Sequence, residues 1–170
     1  GSPLHYLPPD AYQGSPTPVP GYLAGGPKVG AFALIIRLFA DALGPLAADW
    51  NIVIMVLAAL TMTLGNLVAL TQDNVKRMLA YSSIAHTGFL LVGVIALNEK
   101  GLAGTLFYLA TYGFTTMAAF AIVTLVRDGS GEATHLAQWA GLGRRSHLVA
   151  GALSLLLLAP AGSPLTEWVR

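Results

Sequence analysis

Four apolar stretches, about residues 18–40, 51–71, 78–97 and 104–126, each run for some twenty residues with almost no charge, and this length decides what the chain can fold into. About twenty residues at 1.5 Å each cover the roughly 30 Å hydrocarbon core of a bilayer. No water reaches the backbone there, so each stretch has to be a helix that satisfies its own N–H and C=O groups. A fifth stretch, Leu148 to Gly162, is roughly 22 Å long as a helix and reads as a partial span ending near Pro160. The expected fold is all-α, a polytopic transmembrane helix bundle of about four full spans and one partial span.

Composition closes off other classes. Charged residues make up 10% of the chain, against roughly 25% in soluble domains. A net charge of +1 with no basic or acidic tail gives nucleic acid nothing to bind. The absence of cysteine removes disulfides, iron–sulfur ligands and thiolate chemistry. His5, His86, His135 and His147 lack the spacing that zinc or haem requires. No cofactor-binding or metal residue is therefore expected, and any redox chemistry belongs to partners. Residues 1–20 are rich in Pro, Gly, Ser and Tyr and lack the charged start and apolar core of a signal peptide. Residues 1–17 thus read as an inter-helix loop or the end of a preceding helix, 18–162 as the transmembrane part, and 163–170 as a C-terminal tail.

Loop charge sets the orientation. Lys76 and Arg77 follow the second span, and Arg127, Arg144 and Arg145 follow the fourth, which assigns both loops to the cytoplasm. Asp41, Asp49 and Glu99 mark the opposite side, with Arg37 against the trend. The long connection from Arg127 to His147 turns at Gly129, Ser130 and Gly131. Its Ala133 to Trp139 part is read either as an interfacial segment or as a plain solvated loop.

Lys28 stands out within the first span. An ammonium near mid-membrane costs roughly 2.5–3.5 kcal/mol on insertion scales, so such residues usually face a bundle interior or a wet cavity and handle protons or ions. Snorkelling to the headgroups is the bland alternative. Pro27 lacks a backbone donor and predicts a kinked or broken helix at Pro27–Lys28. Gly26 and Gly30 have the small-xxx-small spacing that admits a neighbouring helix.

In the third span, Ser82, Ser83, His86 and Thr87 form a polar stripe at helical spacing. His86 lies roughly 12 Å from the start of its helix, and histidine exchanges protons near neutral pH. A neutral histidine bonded across a helix interface is the alternative. The fourth span adds Tyr108, Thr111, Tyr112, Thr115 and Thr116 broadly on one face, either a water-carrying line or ordinary interhelical bonding. Lys28 and His86 are the candidate proton-relay residues, with Ser82, Ser83, Thr111, Tyr112 and Thr115 as polar support.

Three strings carry a family resemblance: Pro9-Asp10-Ala11-Tyr12-Gln13-Gly14-Ser15-Pro16-Thr17-Pro18, preceded by Pro3-Leu4-His5-Tyr6; the run from Gly65-Asn66-Leu67 through Gln72-Asp73-Asn74-Val75-Lys76-Arg77 to Tyr81-Ser82-Ser83-Ile84-Ala85-His86; and Gly162-Ser163-Pro164. Together they resemble the antiporter-like membrane subunits of proton-pumping NADH:quinone oxidoreductase, respiratory complex I, and are most similar to subunit N, or chain 2. Such subunits have about fourteen helices, so the resemblance implies a partial chain covering about helices 7 to 12, with Lys28 on the eighth-helix lysine. The family's seventh-helix lysine would precede Gly1. The Gly-Phe-x-x-Lys pattern of its twelfth helix is replaced by Leu165-Thr166-Glu167-Trp168-Val169-Arg170.

The resemblance implies a multi-pass subunit of the bacterial inner membrane that helps move protons, in contact with lipid, water and other complex I membrane-arm subunits. NADH, flavin, iron–sulfur clusters and quinone would be bound by those other subunits. A multisubunit sodium/proton antiporter subunit and a structural fragment without transport activity are the alternatives.

Overall fold

The computed structural model describes residues 7–96, 98–129 and 131–158. Among them, α1 (Leu7–Gly14) precedes α2 (Pro18–Arg37), which passes into a π-helical turn at Leu38–Ala42. After a 3₁₀ turn at Gly44–Leu46 come α3 (Ala47–Leu70), α4 (Val75–Ala96) and α5 (Glu99–Leu125). A two-residue antiparallel hairpin, β1 (Arg127–Asp128) with β2 (Gly131–Glu132), leads to a 3₁₀ turn at Leu136–Trp139, then α6 (Leu142–Arg145) and α7 (His147–Leu158). Four helices are long and apolar enough to cross a membrane, and α7 is a shorter apolar helix. The chain is a polytopic helical membrane protein.

The boundaries follow from capping. α4 begins three residues before the apolar run because the Asn74 side chain accepts from the backbone N–H groups of Lys76 and Arg77, at 3.0 and 3.2 Å. Asn98 does the same for α5, accepting from Gly101 N–H at 2.6 Å. These side chains satisfy donors that a helix start otherwise leaves unpaired. At Pro27 the helix is not broken: α2 stays helical from Pro18 to Arg37. A π-helical turn follows at Leu38–Ala42. Residues 159–170, including Pro160 and the Gly162-Ser163-Pro164 string, lie outside the described residues, as do residues 1–6.

Small residues set the helix packing. A Cβ on Gly25 would stand 2.6 Å from Met117 Cε, and one on Gly21 would stand 3.2 Å from Phe120 Cβ, so Gly21 and Gly25 are where α5 comes close to α2. The sequence pattern pointed to Gly26 and Gly30 instead. A Cβ on Gly30 would meet nothing within 4 Å among the described residues, and the nearest atoms to one on Gly26 belong to Tyr22 of its own helix. Gly26 lines an apolar cleft of about 330 Å³ with Val29, Leu106, Ala110 and Phe114. Both registers have i, i+4 small residues, and apolar side chains surround each, so spacing alone could not choose between them.

The Ala133–Trp139 part of the long connection is docked on the turn between α3 and α4 and is not a plain solvated loop. Val75 N–H donates to Thr134 O at 2.7 Å, and Leu136 N–H to Asp73 O at 2.8 Å. Ala133 is buried, and the Trp139 indole donates to its carbonyl at 2.8 Å. The Trp139 ring packs against the cluster of Tyr12, Ala24, Val75, Leu79, Ala80, Phe120 and Val123.

Lys76 is the centre of this docking. Its side chain is 5% exposed and its Nζ lies 3.1 Å from Glu132 Oε2, while also donating to Ser15 O at 3.3 Å. The Thr17 hydroxyl donates to the same carboxylate. Arg77, next in sequence, reaches Asp10 at 3.5 Å and Gln13 at 3.3 Å on the exposed rim, where an ion pair is worth little. Lys76→Met should weaken docking by about 1–3 kcal/mol, the usual range for bonds to a charged group. Faster hydrogen exchange at the Val75 and Leu136 amides would register the loss.

The Thr17 hydroxyl first, and then Lys76, holds Glu132 below the ordinary glutamate range. A depressed folded value means the stabilisation is present above the unfolded value, about 4.3. It is lost as pH falls through the folded value. Protection at these amides, corrected for intrinsic exchange, should therefore be flat above about pH 5 and decline in acid below the unfolded value. Glu132→Gln should flatten that decline, and an unchanged profile in this variant would assign it to another group.

Candidate functional site

Lys28 points inward because of its register. It lies four residues after Ala24 and four before Phe32, both buried, on the α2 ridge that faces α4 and α5. Its ammonium donates to Ser83 O at 2.8 Å and also to the Ser83 hydroxyl, and it stands 5.0 Å from the centre of the Tyr112 ring. The two ion pairs among the described residues are those of Lys76 and Arg77; Lys28 is held by neutral oxygens and a ring face. Such a setting solvates an ammonium through hydrogen bonds and the ring quadrupole.

Ser83 is the junction. Its carbonyl accepts from Lys28 and from the Thr87 hydroxyl at 2.9 Å. Its hydroxyl meets Lys28 and has Tyr112 as a neighbour. Tyr112, buried on α5, lies with its ring 4.8 Å from that of His86. His86 Nδ1 shares a hydrogen bond with the Tyr108 hydroxyl, and the Tyr108 and Tyr112 rings stack at 6.3 Å. Exchangeable groups from three helices thus run from Lys28 through Ser83 and Tyr112 to His86 and Tyr108.

The polar stripe read from α4 divides in two. Ser83 meets Lys28 and Thr87 bonds back to the Ser83 carbonyl, whereas Ser82 and His86 line a cavity of about 40 Å³ with Tyr112, Thr115 and Thr116. Leu156 and Leu157 of α7 also line it. The volume suits about one water, and the polar lining gives that water partners.

Among the α5 hydroxyls, Thr111 donates to Phe107 O at 2.9 Å and Thr115 to Thr111 O. Thr115 also lines the cavity. Thr111, half-exposed and absent from the cavity wall, joins neither the Lys28 group nor the His86 group. Tyr108, grouped by sequence with four other hydroxyls, is the direct partner of His86. Spacing places it on the α5 face but not opposite a particular α4 residue.

The family described as NADH:quinone oxidoreductase/Mrp antiporter, transmembrane, matches residues 2–168. The chain belongs to this family. It is 56% identical over 166 residues to NADH-quinone oxidoreductase subunit N of Parafrankia sp. (strain EAN1pec), covering 98% of this chain and 32% of the relative. It is 54% identical over 169 residues to the subunit N of Mycobacterium tuberculosis (strain CDC 1551 / Oshkosh), covering 97% and 32%. Respiratory complex I from Thermus thermophilus with bound aureothin contains a chain of the same fold, at a TM-score of 0.77 and 35% identity, covering 96% of this chain and 35% of that one. The chain therefore spans about a third of the length of these relatives. Its bacterial relatives and apolar helices place this family member in the inner membrane as a multi-pass protein.

Proposed function

We propose that the chain is the part of a subunit N-type protein that relays protons within the membrane arm of NADH:quinone oxidoreductase. In this reading NADH oxidation and quinone reduction take place on other subunits, which hold the flavin, the iron–sulfur clusters and the quinone. This chain supplies a path for charge. The observation that carries the reading is the buried run of exchangeable groups from Lys28 through Ser83 and Tyr112 to His86 and Tyr108.

Lys28 takes up or releases the proton at Nζ, and the Ser83 hydroxyl, accepting from the ammonium, stands ready to pass a proton on. Tyr112 bridges the gap to His86, whose ring takes a proton at one nitrogen and gives it up at the other. The cavity beside Ser82 and Thr115 gives His86 its contact with water. Neighbouring protein charge, altered by the redox cycle elsewhere, would load and unload Lys28.

The family also embraces Mrp antiporters, but the relatives above, at 54–56% identity, are quinone oxidoreductase subunits. The distinguishing experiment measures NADH-driven acidification of inverted membrane vesicles whose full-length counterpart carries His86→Gln. Glutamine can still bond Tyr108 but cannot titrate. Acidification should fall about 10²-fold with complex assembly intact, a typical loss for an acid–base group. Unchanged acidification would remove His86 from the path.

A further inference from the structure

Between the Lys28 group and the face that carries Lys76, Arg77 and Arg127 lies a layer of different character. Three helices present the same order of ranks. On α2, Thr17 is followed by Ala24 and, four residues on, by Lys28; on α4, Lys76 is followed by Leu79 and Ala80, then Ser83. On α5, which runs the other way, Tyr112 and Thr116 are followed by Phe120 and Val123. The outer rank is polar and joined, since Thr17 and Lys76 both hold Glu132. The inner rank is Lys28 with Ser83 and Tyr112. The rank between them is apolar, and its Ala24, Ala80, Phe120 and Val123 are 0–1% exposed.

The packing of this layer leaves little room for water. A Cβ on Gly21 would stand 3.2 Å from Phe120 Cβ, and the rings of Tyr12 and Phe120 meet edge to face with centroids 5.7 Å apart. Thr124, next to Val123, turns its hydroxyl back to Phe120 O at 3.0 Å. Lys76 and Ser83 are about 10 Å apart along the helix, whereas a hydrogen bond spans about 3 Å between heavy atoms. Among Tyr12, Ala24, Leu79, Ala80, Phe120 and Val123, only Tyr12 carries a side-chain oxygen, one hydroxyl where a proton needs several. Apolar voids stay dry, and an apolar constriction stops ions by excluding water.

We propose that this layer is an insulating barrier that closes the direct route between Lys28 and the Lys76–Glu132 face. A continuous line of water there would let protons run back through the relay and dissipate the gradient. The inference rests on the relay reading above. It adds residues that act by excluding water, where Lys28 and His86 act by binding protons.

The test uses inverted vesicles holding complex assembled with the full-length counterpart. It follows the decay of the pH gradient once NADH is exhausted, corrected for vesicles without the complex. Val123→Asn puts an amide into the layer and should speed the decay about 10-fold, the scale of one hydrogen bond gained by an entering water. Should the amide prevent assembly, Ala80→Ser with Val123→Thr, each close in size to the residue replaced, should speed it about 3-fold on the same ground. Val123→Ala loosens the packing without adding a polar atom and should leave the decay at the wild-type rate. Adding Lys28→Ala to Val123→Asn should restore that rate, because the leak runs through Lys28.

Wild-type decay in both polar variants, an equal leak in Val123→Ala and Val123→Asn, or a leak that survives Lys28→Ala would each overturn the barrier. Lys28→Ala alone tells the two readings apart. If it abolishes pumping while the polar variants stay tight, the relay stands and only the barrier falls. If it pumps normally, the relay reading itself fails, and the barrier with it.

Discussion

Lys28→Ala in the full-length counterpart should lower NADH-driven proton pumping by about 10²-fold or more, the usual range for removing an acid–base group, with the complex still assembled. The variant leaves Ser83 and Tyr112 in place but deletes the amine that both surround. No other lysine or arginine among the described residues lies within the span before Arg37. Lys28→Arg makes the test sharper. Arginine keeps the charge and can donate to Ser83, yet it does not release a proton in proteins. A relay therefore fails in both variants, whereas a purely electrostatic or packing role is rescued by arginine. Normal pumping in Lys28→Arg would remove the relay and leave a fixed charge in its place.

The second large effect is structural. Gly88 on α4 faces α3 so closely that an added Cβ would stand 2.5 Å from Met62 Cγ, 2.8 Å from Ala58 O and 3.0 Å from Met62 N. Two of these atoms are backbone, so the clash is relieved only by moving one helix from the other. One turn away along α3, Gly65 is equally close to Ala85 of α4, with a Cβ 2.8 Å from its amide nitrogen. Gly88→Ala should therefore cost about 1–3 kcal/mol, as overpacking of a filled interior does, and Gly88→Val should prevent the protein from accumulating. Thermal midpoints in detergent and the amount of assembled complex on native gels measure both. Gly104→Ala is the comparison, because its Cβ would meet nothing within 4 Å and α5 has good reason to accept alanine. Equal tolerance at Gly88 and Gly104 would mean that α3 and α4 do not pack through these residues.

The amino-acid sequence by itself determined the number of spans, their approximate limits and the choice of Lys28 as the residue to explain. All three follow from the bilayer: its thickness sets the length of an apolar helix, and its low polarity makes a lone ammonium costly. The same reasoning brought out Ser83 and Tyr112, which the structure sets against Lys28, and His86, which lies against the Tyr112 ring. It did not separate Ser82 from Ser83 or exclude Thr111. It read Lys76 as an orienting charge when that residue is buried against Glu132, far away in sequence.

These failures have one physical source. In a water-soluble helix the inward face is apolar and the outward face polar, so periodicity reveals direction. In a membrane helix the lipid side is as apolar as the packed side, and the pattern that would distinguish Gly21 and Gly25 from Gly26 and Gly30 disappears. Only the tertiary structure decided which faces meet. With that decision came the contacts on which the relay proposal rests, from α2 to Ser83 and from α4 to Tyr108.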